Sequence, residues 1–223
     1  AMTMPSLIAN HREKQTVAQL KKAYSTIQQA YLMAINKYGD AESWSLSNTH
    51  IGDDDEGNAI TDYTSAYTVF NYLAENMKSV DGGKANQYIT HEYDSYSLDG
   101  TFRNTISTNR DIPNIVLADG TVISSGWIEN GNMDIYVSLN KCMNKGKCTL
   151  GKDTFYFQMY FSEAKIVPEG SPTYSTTYFK NLCNKGITDK NNGRGCTAWV
   201  LQNENMDYMH CDDLDWNTKI RCK

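Results

Sequence analysis

Residues 6–38 read SLIANHREKQTVAQLKKAYSTIQQAYLMAINKY, a run without proline or glycine that is rich in Ala, Leu, Lys and Gln. These residue types favour helix. Within the run, Val17, Leu20, Tyr24, Ile27, Tyr31, Ala34 and Tyr38 recur at spacings of three and four, which places them along one helix face. Pro5 suits a first helical turn and Gly39 a C-terminal cap, so the run carries punctuation at both ends. The stripe starts only at Val17, and the preceding residues 10–15, NHREKQ, are polar all round. The sequence therefore predicts one long helix whose first half projects into solvent and whose second half packs on a globular body.

The division into residues 1–39, a helical stalk, and residues 40–223, a head, follows from that reading. Beyond a polar stretch from Asp40 to Asn58, a second helical pattern is carried by Tyr63, Tyr67, Phe70, Leu73 and Met77, and Asp81-Gly82-Gly83 is expected to end it. Short strand-like runs then follow at 87–93, 114–117, 121–124, 133–139, 154–161 and 197–201. Asp119-Gly120 between two apolar runs is a hairpin signal. The fold class read from this order is α+β, with the long N-terminal helix packed on an antiparallel sheet and with disulfide-bonded loops toward the C-terminus.

The chain of 223 residues has a net charge of -5, unevenly placed. Arg12, Lys14, Lys21, Lys22 and Lys37 against Glu13 make the first 38 residues +4, which leaves -9 on the remainder. An acidic head argues against a nucleic-acid partner, because phosphate binding needs clustered cations. Six cysteines, Cys142, Cys148, Cys183, Cys196, Cys211 and Cys222, fall in the last third with no C-x-x-C among them, so structural disulfides in an oxidising compartment are expected. Six cysteines allow fifteen complete pairings, and spacing alone does not select one. The expectation adopted is the local set, Cys142 with Cys148, Cys183 with Cys196 and Cys211 with Cys222. No stretch approaches the roughly 20 apolar residues of a membrane span and no signal peptide opens the chain, so the natural N-terminus is expected to have been removed.

Handles for chemistry are few. His11, His50, His91 and His210 are scattered, without His-x-x-x-His or His-Glu-x-x-His spacing, and Gly-x-Ser-x-Gly and phosphate-binding glycine loops are absent. The acidic cluster 53–58, DDDEGN, lacks the glutamate that an EF-hand places at position twelve, where Thr64 stands. A solvated loop is the plain reading of it, with Asp53 and Asp55 the candidates should it hold calcium. No other cofactor is expected, and no enzymatic activity.

A long helix, half exposed and half packed on a sheet with cysteine loops behind it, resembles the architecture of type IV pilins and type II secretion pseudopilins. The opening Met4-Pro5-Ser6-Leu7-Ile8-Ala9-Asn10, followed by Val17, Leu20, Lys21, Lys22 and Tyr24, is similar to the segment just past the apolar half-helix of prepilin-type proteins. Leu117-Ala118-Asp119-Gly120-Thr121, Gly151-Lys152-Asp153-Thr154-Phe155-Tyr156-Phe157, Ile166-Val167-Pro168 and Gly195-Cys196-Thr197-Ala198-Trp199-Val200 look like blocks of pseudopilin-like proteins. The chain departs from their pattern at Val137-Ser138-Leu139-Asn140, which precedes a cysteine loop.

The resemblance implies a structural subunit of a pilus or pseudopilus that assembles through Val17, Leu20, Tyr24, Ile27 and Tyr31. It also implies a methylated N-terminus and an inner-membrane half-helix, both missing here, with an extracytoplasmic head that meets other subunits of the same filament. The alternatives are a tip-located minor pilin or adhesin that binds a glycan or surface protein and, after it, a secreted enzyme. Complementary charge between a basic stalk and the acidic head of the next subunit, with Lys21 and Lys22 carrying part of it, is a further expectation.

Overall fold

The computed structural model describes residues 4–85, 92–106, 112–174 and 176–222. Helix α1 spans Met4–Tyr38, 35 residues, or about 52 Å at 1.5 Å per residue. It ends where the sequence places the cap: Gly39 takes a φ of 81°, and its N–H reaches the Ile35 carbonyl at 2.9 Å. Residues 8–12 are exposed, whereas Thr16, Val17, Leu20, Ala23, Ile27, Ala30, Tyr31 and Ala34 are buried. The two-part helix is thus as read, and its second half shares one hydrophobic core with the head.

That core lies between α1 and a five-stranded antiparallel sheet in the order β10-β9-β7-β6-β5. Its strands are β5 (Asn114–Val116), β6 (Val122–Glu129), β7 (Asn132–Ser138), β9 (Thr154–Tyr160) and β10 (Lys165–Pro168). Alternation decides which side chains enter the core: Met133, Ile135 and Val137 of β7 and Phe155, Phe157 and Met159 of β9 face the helix and are buried. Tyr24 stacks on Phe157 with ring centroids 5.5 Å apart. Its hydroxyl donates to the Ile166 carbonyl at 3.1 Å, and the Tyr31 hydroxyl to the Tyr160 carbonyl at 3.0 Å. Two stripe residues of the helix thereby satisfy their polar ends on strand backbones. Helix α2 (Thr64–Ala74) closes one end of the core with Val69, Phe70 and Leu73. It stops seven residues ahead of Asp81, earlier than the sequence suggested.

A second, three-stranded sheet has the order β4-β3-β8, from β3 (Tyr93–Tyr96), β4 (Phe102–Ile106) and β8 (Lys147–Thr149). β3 pairs with β4 antiparallel but with β8 parallel, so the sheets are not antiparallel throughout. Of the run at 87–93 only Tyr93 is seen in a strand, and residues 87–91, His91 included, lie outside the described residues. The polar stretch ahead of α2 contains a hairpin, β1 (His50–Asp53) with β2 (Ala59–Thr61). Asp54 organises its turn by accepting the backbone N–H of Glu56 and of Asn58.

One element is of the opposite type to that expected. Residues 197–201 form no strand; they belong to α4 (Thr197–Asn203), which follows a tight 3-10 turn at Arg194–Cys196. A short buried apolar run reads equally as strand or helix, and here tertiary contacts decide. Trp199 is fully buried, stacks on Phe179 of α3 (Thr176–Leu182) at 4.3 Å between centroids, and donates its indole N–H to Asn205.

Candidate functional site

The strands that feed the core with every second residue carry polar side chains at the positions between. On the face turned away from α1, β7 presents Asp134, Tyr136 and Ser138, directly opposite Gln158, Tyr156 and Thr154 of β9. Ser138 and Thr154 hydroxyls lie 3.1 Å apart, and the Tyr136 and Tyr156 rings meet edge to face at 4.9 Å. Gly126 of β6 completes this surface because a Cβ there would fall 2.4 Å from Cβ of Asp134 and 3.1 Å from the Tyr136 ring.

Between this polar face and the three-stranded sheet is a cavity of about 260 Å³. Ser95 and Arg103 line it from the small sheet, and Asn114, Ser124, Asp134 and Tyr136 from the large one. The Cys142–Cys148 bridge positions the small sheet. It closes the loop between β7 and β8, and Cys148 is itself the β8 residue opposite Ser95. Three polar atoms around the cavity are buried without a hydrogen-bond partner: Arg103 Nε, Asn114 Oδ1 and Ser124 Oγ. Arg103 Nη1 does reach Ser95 Oγ at 3.2 Å, and Asn114 Nδ2 donates to the Ile112 carbonyl at 2.7 Å, so each side chain is anchored beside its unpartnered atom.

Next to the cavity, Arg194 lies over the Tyr156 ring, 3.7 Å from its centroid, and donates to the Tyr156 hydroxyl. Its guanidinium is 3.9 Å from Asp134 and 3.8 Å from Glu169, so two carboxyl groups share one cation. Burial pushes the Asp134 carboxyl above its ordinary range, against the hydrogen bond from Tyr156 and the attraction of Arg194. Glu169 is raised for the same reason, burial first and Arg194 opposing. Burial works against the charge on Arg194, yet Tyr156 and the two acids hold its affinity for the proton above the usual value. The polar face can hold a ligand and tune charge. Among the described residues it places no histidine or thiol beside a hydroxyl, the usual means of activating a nucleophile.

The residues singled out in the sequence fall elsewhere. Val17, Leu20, Ile27 and Tyr31 are buried in the core, and Tyr24 is partly buried against it. Lys21 pairs with Glu204 at 2.6 Å and Lys22 with Asp119 at 2.7 Å, so both cations are engaged within the chain. Arg12 and Lys14 remain exposed on the first turns of α1. Asp53 Oδ1 lies 3.0 Å from His50 Nε2, where it can accept the ring N–H, while Asp55 is exposed. No three His, Cys, Asp or Glu residues gather into a metal-binding group among the described residues. The cysteines join as Cys142–Cys148, Cys183–Cys196 and Cys211–Cys222 with Cα separations of 5.0, 5.0 and 5.9 Å, the local set. Three disulfides point to an oxidising, extracytoplasmic environment. Among the described residues no helix is long and apolar enough to cross a membrane.

Arg103, Asn114, Ser124, Asp134 and Arg194 were not found from the sequence. Each is an isolated polar residue on a different segment, and only the alternation along 132–138 and 154–160 hinted that a second, polar face would be made.

No curated protein and no solved structure matches the chain. A family profile does match, over residues 6–206, which takes in α1, both larger sheets and the first two disulfides and stops ahead of the third. With nine-tenths of its length inside that match, the chain belongs to the family of unknown function DUF6613.

Proposed function

We propose that this chain is the exported head of a pilin-like filament subunit, a structural protein that assembles through α1 and displays the head outward. The observation that carries the reading is the change of character along one unbroken helix: residues 8–12 exposed, then a stripe from Thr16 to Ala34 sealed against the sheet. A globular domain gains no core stability from helical turns that lie outside its core, because most helical stability in proteins comes from packing of an apolar face. Such turns make sense where a further segment or a neighbouring subunit meets them. Ile8, 54% exposed, together with Arg12 and Lys14, gives that surface both an apolar and a cationic component.

The test is to replace Arg12 and Lys14 by Glu in the full gene of the source organism and to measure the protein in the sheared surface-filament fraction. The expected result is loss of the protein from that fraction while the urea midpoint of the isolated head stays unchanged. Recovery of the wild-type protein only as a dispersed species, with none in filaments, would overturn the reading. The polar cavity favours a second reading, a subunit placed at the filament tip for its binding properties. Gold labelling separates the two, along the shaft in one case and at the end in the other.

A further inference from the structure

We propose that the cavity between the two sheets is a binding site for one small hydroxylated carboxylate, of the size and chemistry of a single-ring sugar acid. The inference stands on the cavity and does not depend on whether the chain assembles into filaments.

Buried polar atoms in folded proteins are nearly always hydrogen-bonded, and each one left alone costs on the order of 1–3 kcal/mol. Here three orphans gather around a single space: Arg103 Nε, Asn114 Oδ1 and Ser124 Oγ. Asn114 is fully buried and Ser124 is 9% exposed, so bulk water does not serve them. The cavity of about 260 Å³ is far larger than a structural water needs, at about 30 Å³ for each water's share of the liquid.

Charge selects the ligand class. Arg103 makes no ion pair among the described residues, whereas Asp134, the acid on the same cavity, already has Arg194 at 3.9 Å. Among the described residues the Arg103 guanidinium therefore has no carboxylate partner in the cavity, while its Nη1 is fixed by Ser95 and its Nε is without a hydrogen-bond partner. A guanidinium pairs best with a carboxylate or a phosphate, and of the two a carboxylate brings the smaller negative charge into a cavity that also holds Asp134. Asn114 Oδ1 is an acceptor and requires a donor, and Ser124 Oγ takes either role, so the ligand must also bring hydroxyl groups. A fully anionic ion without hydroxyls would leave Asn114 unmatched; a neutral sugar would leave Arg103 unmatched. The rings of Trp127 and Tyr136 add apolar wall to the same space.

Titration calorimetry on the full chain with D-glucuronate as the probe tests this, with D-glucose and acetate as comparisons. D-glucuronate is expected to bind one to one, at least tenfold more tightly than either comparison. Arg103→Gln should weaken it tenfold or more and Ser124→Ala about threefold, a change of roughly 0.7 kcal/mol. Shifts in the proton NMR spectrum on adding D-glucuronate should be confined to cavity residues. Absence of saturable binding up to about 10 mM, weaker than the millimolar range, would overturn the proposal and leave the cavity to water. Equal affinity for D-glucose, or unaltered binding by Arg103→Gln, would overturn it as well. Should Arg103→Gln fail to fold, Ser124→Ala and the map of shifted residues decide in its place.

Discussion

The two faces of the five-stranded sheet are built from alternate residues of the same strands, but they are covered in opposite ways. One face meets α1 and α2 through Ile135, Val137, Phe155 and Phe157, which are fully buried and need nothing but close packing. The other carries Asp134, Tyr136, Ser138, Thr154 and Tyr156, and antiparallel sheets commonly leave such a face to water. Here it is roofed by the three-stranded sheet on one side and by Arg194 and Glu169 on the other. Apolar cover supplies most of the stability. Polar cover leaves unmatched atoms and a cavity, at a cost in stability.

Breaking the apolar face should have the larger effect. Phe157→Ala removes a fully buried ring stacked on Tyr24 and is expected to cost about 3–5 kcal/mol, read as a fall in the urea midpoint with little change in slope. A cost under about 1 kcal/mol would mean that α1 is not held by this surface.

Breaking the roof of the polar face should cost less but change more. Replacing Cys142 and Cys148 by Ser opens a loop of sequence separation 6, worth about 2 kcal/mol in the chain-entropy account. Because the loop delivers β8 to β3, hydrogen exchange should rise in 93–96 and 147–149 while Phe155 to Phe157 stay protected. Uniform loosening of both sheets would show that the two covers are not separable.

The smallest effect concerns the shared cation. Burial raises the Asp134 carboxyl, so the folded chain takes up a proton more readily than the unfolded one. By linkage, this group's contribution is neutral at low pH and becomes increasingly unfavourable as pH rises from about 4, the unfolded value, through its higher folded value. Above that it is constant. Asp134→Asn removes the slope, and the weaker repulsion reduces the rise in Glu169 too. The variant should therefore gain on the wild type as pH is raised, measured by unfolding midpoints between about pH 4 and pH 8. A difference that stays constant with pH would place the two acids outside the control of burial.

The same contrast explains what could be read from residues alone. A stripe at spacings of three and four marked α1 from Val17 onward, and Asp119-Gly120 marked the β5–β6 hairpin, because both signals are local in the chain. The helix at 197–203 escaped: Thr197-Ala198-Trp199-Val200-Leu201 is apolar at nearly every position and so carries no period, and the decision lies with Phe179 and Asn205. The parallel pairing of β3 with β8 escaped too, since it joins segments separated by the whole β5–β7 meander. The cavity is assembled from side chains on six strands, β3 to β7 and β9, which form no motif with their neighbours in sequence.

The order of the disulfides has a consequence for how the protein is made. Numbered along the chain, the first cysteine joins the second, the third the fourth and the fifth the sixth. An oxidant that links each cysteine to the next one to emerge therefore produces the native set directly, with no wrong pair to undo. Loops of this length close in well under a millisecond, far faster than disulfide chemistry, which takes seconds or more. Loop closure therefore limits none of the three bridges, and the rate at which the native set forms is left to the oxidant.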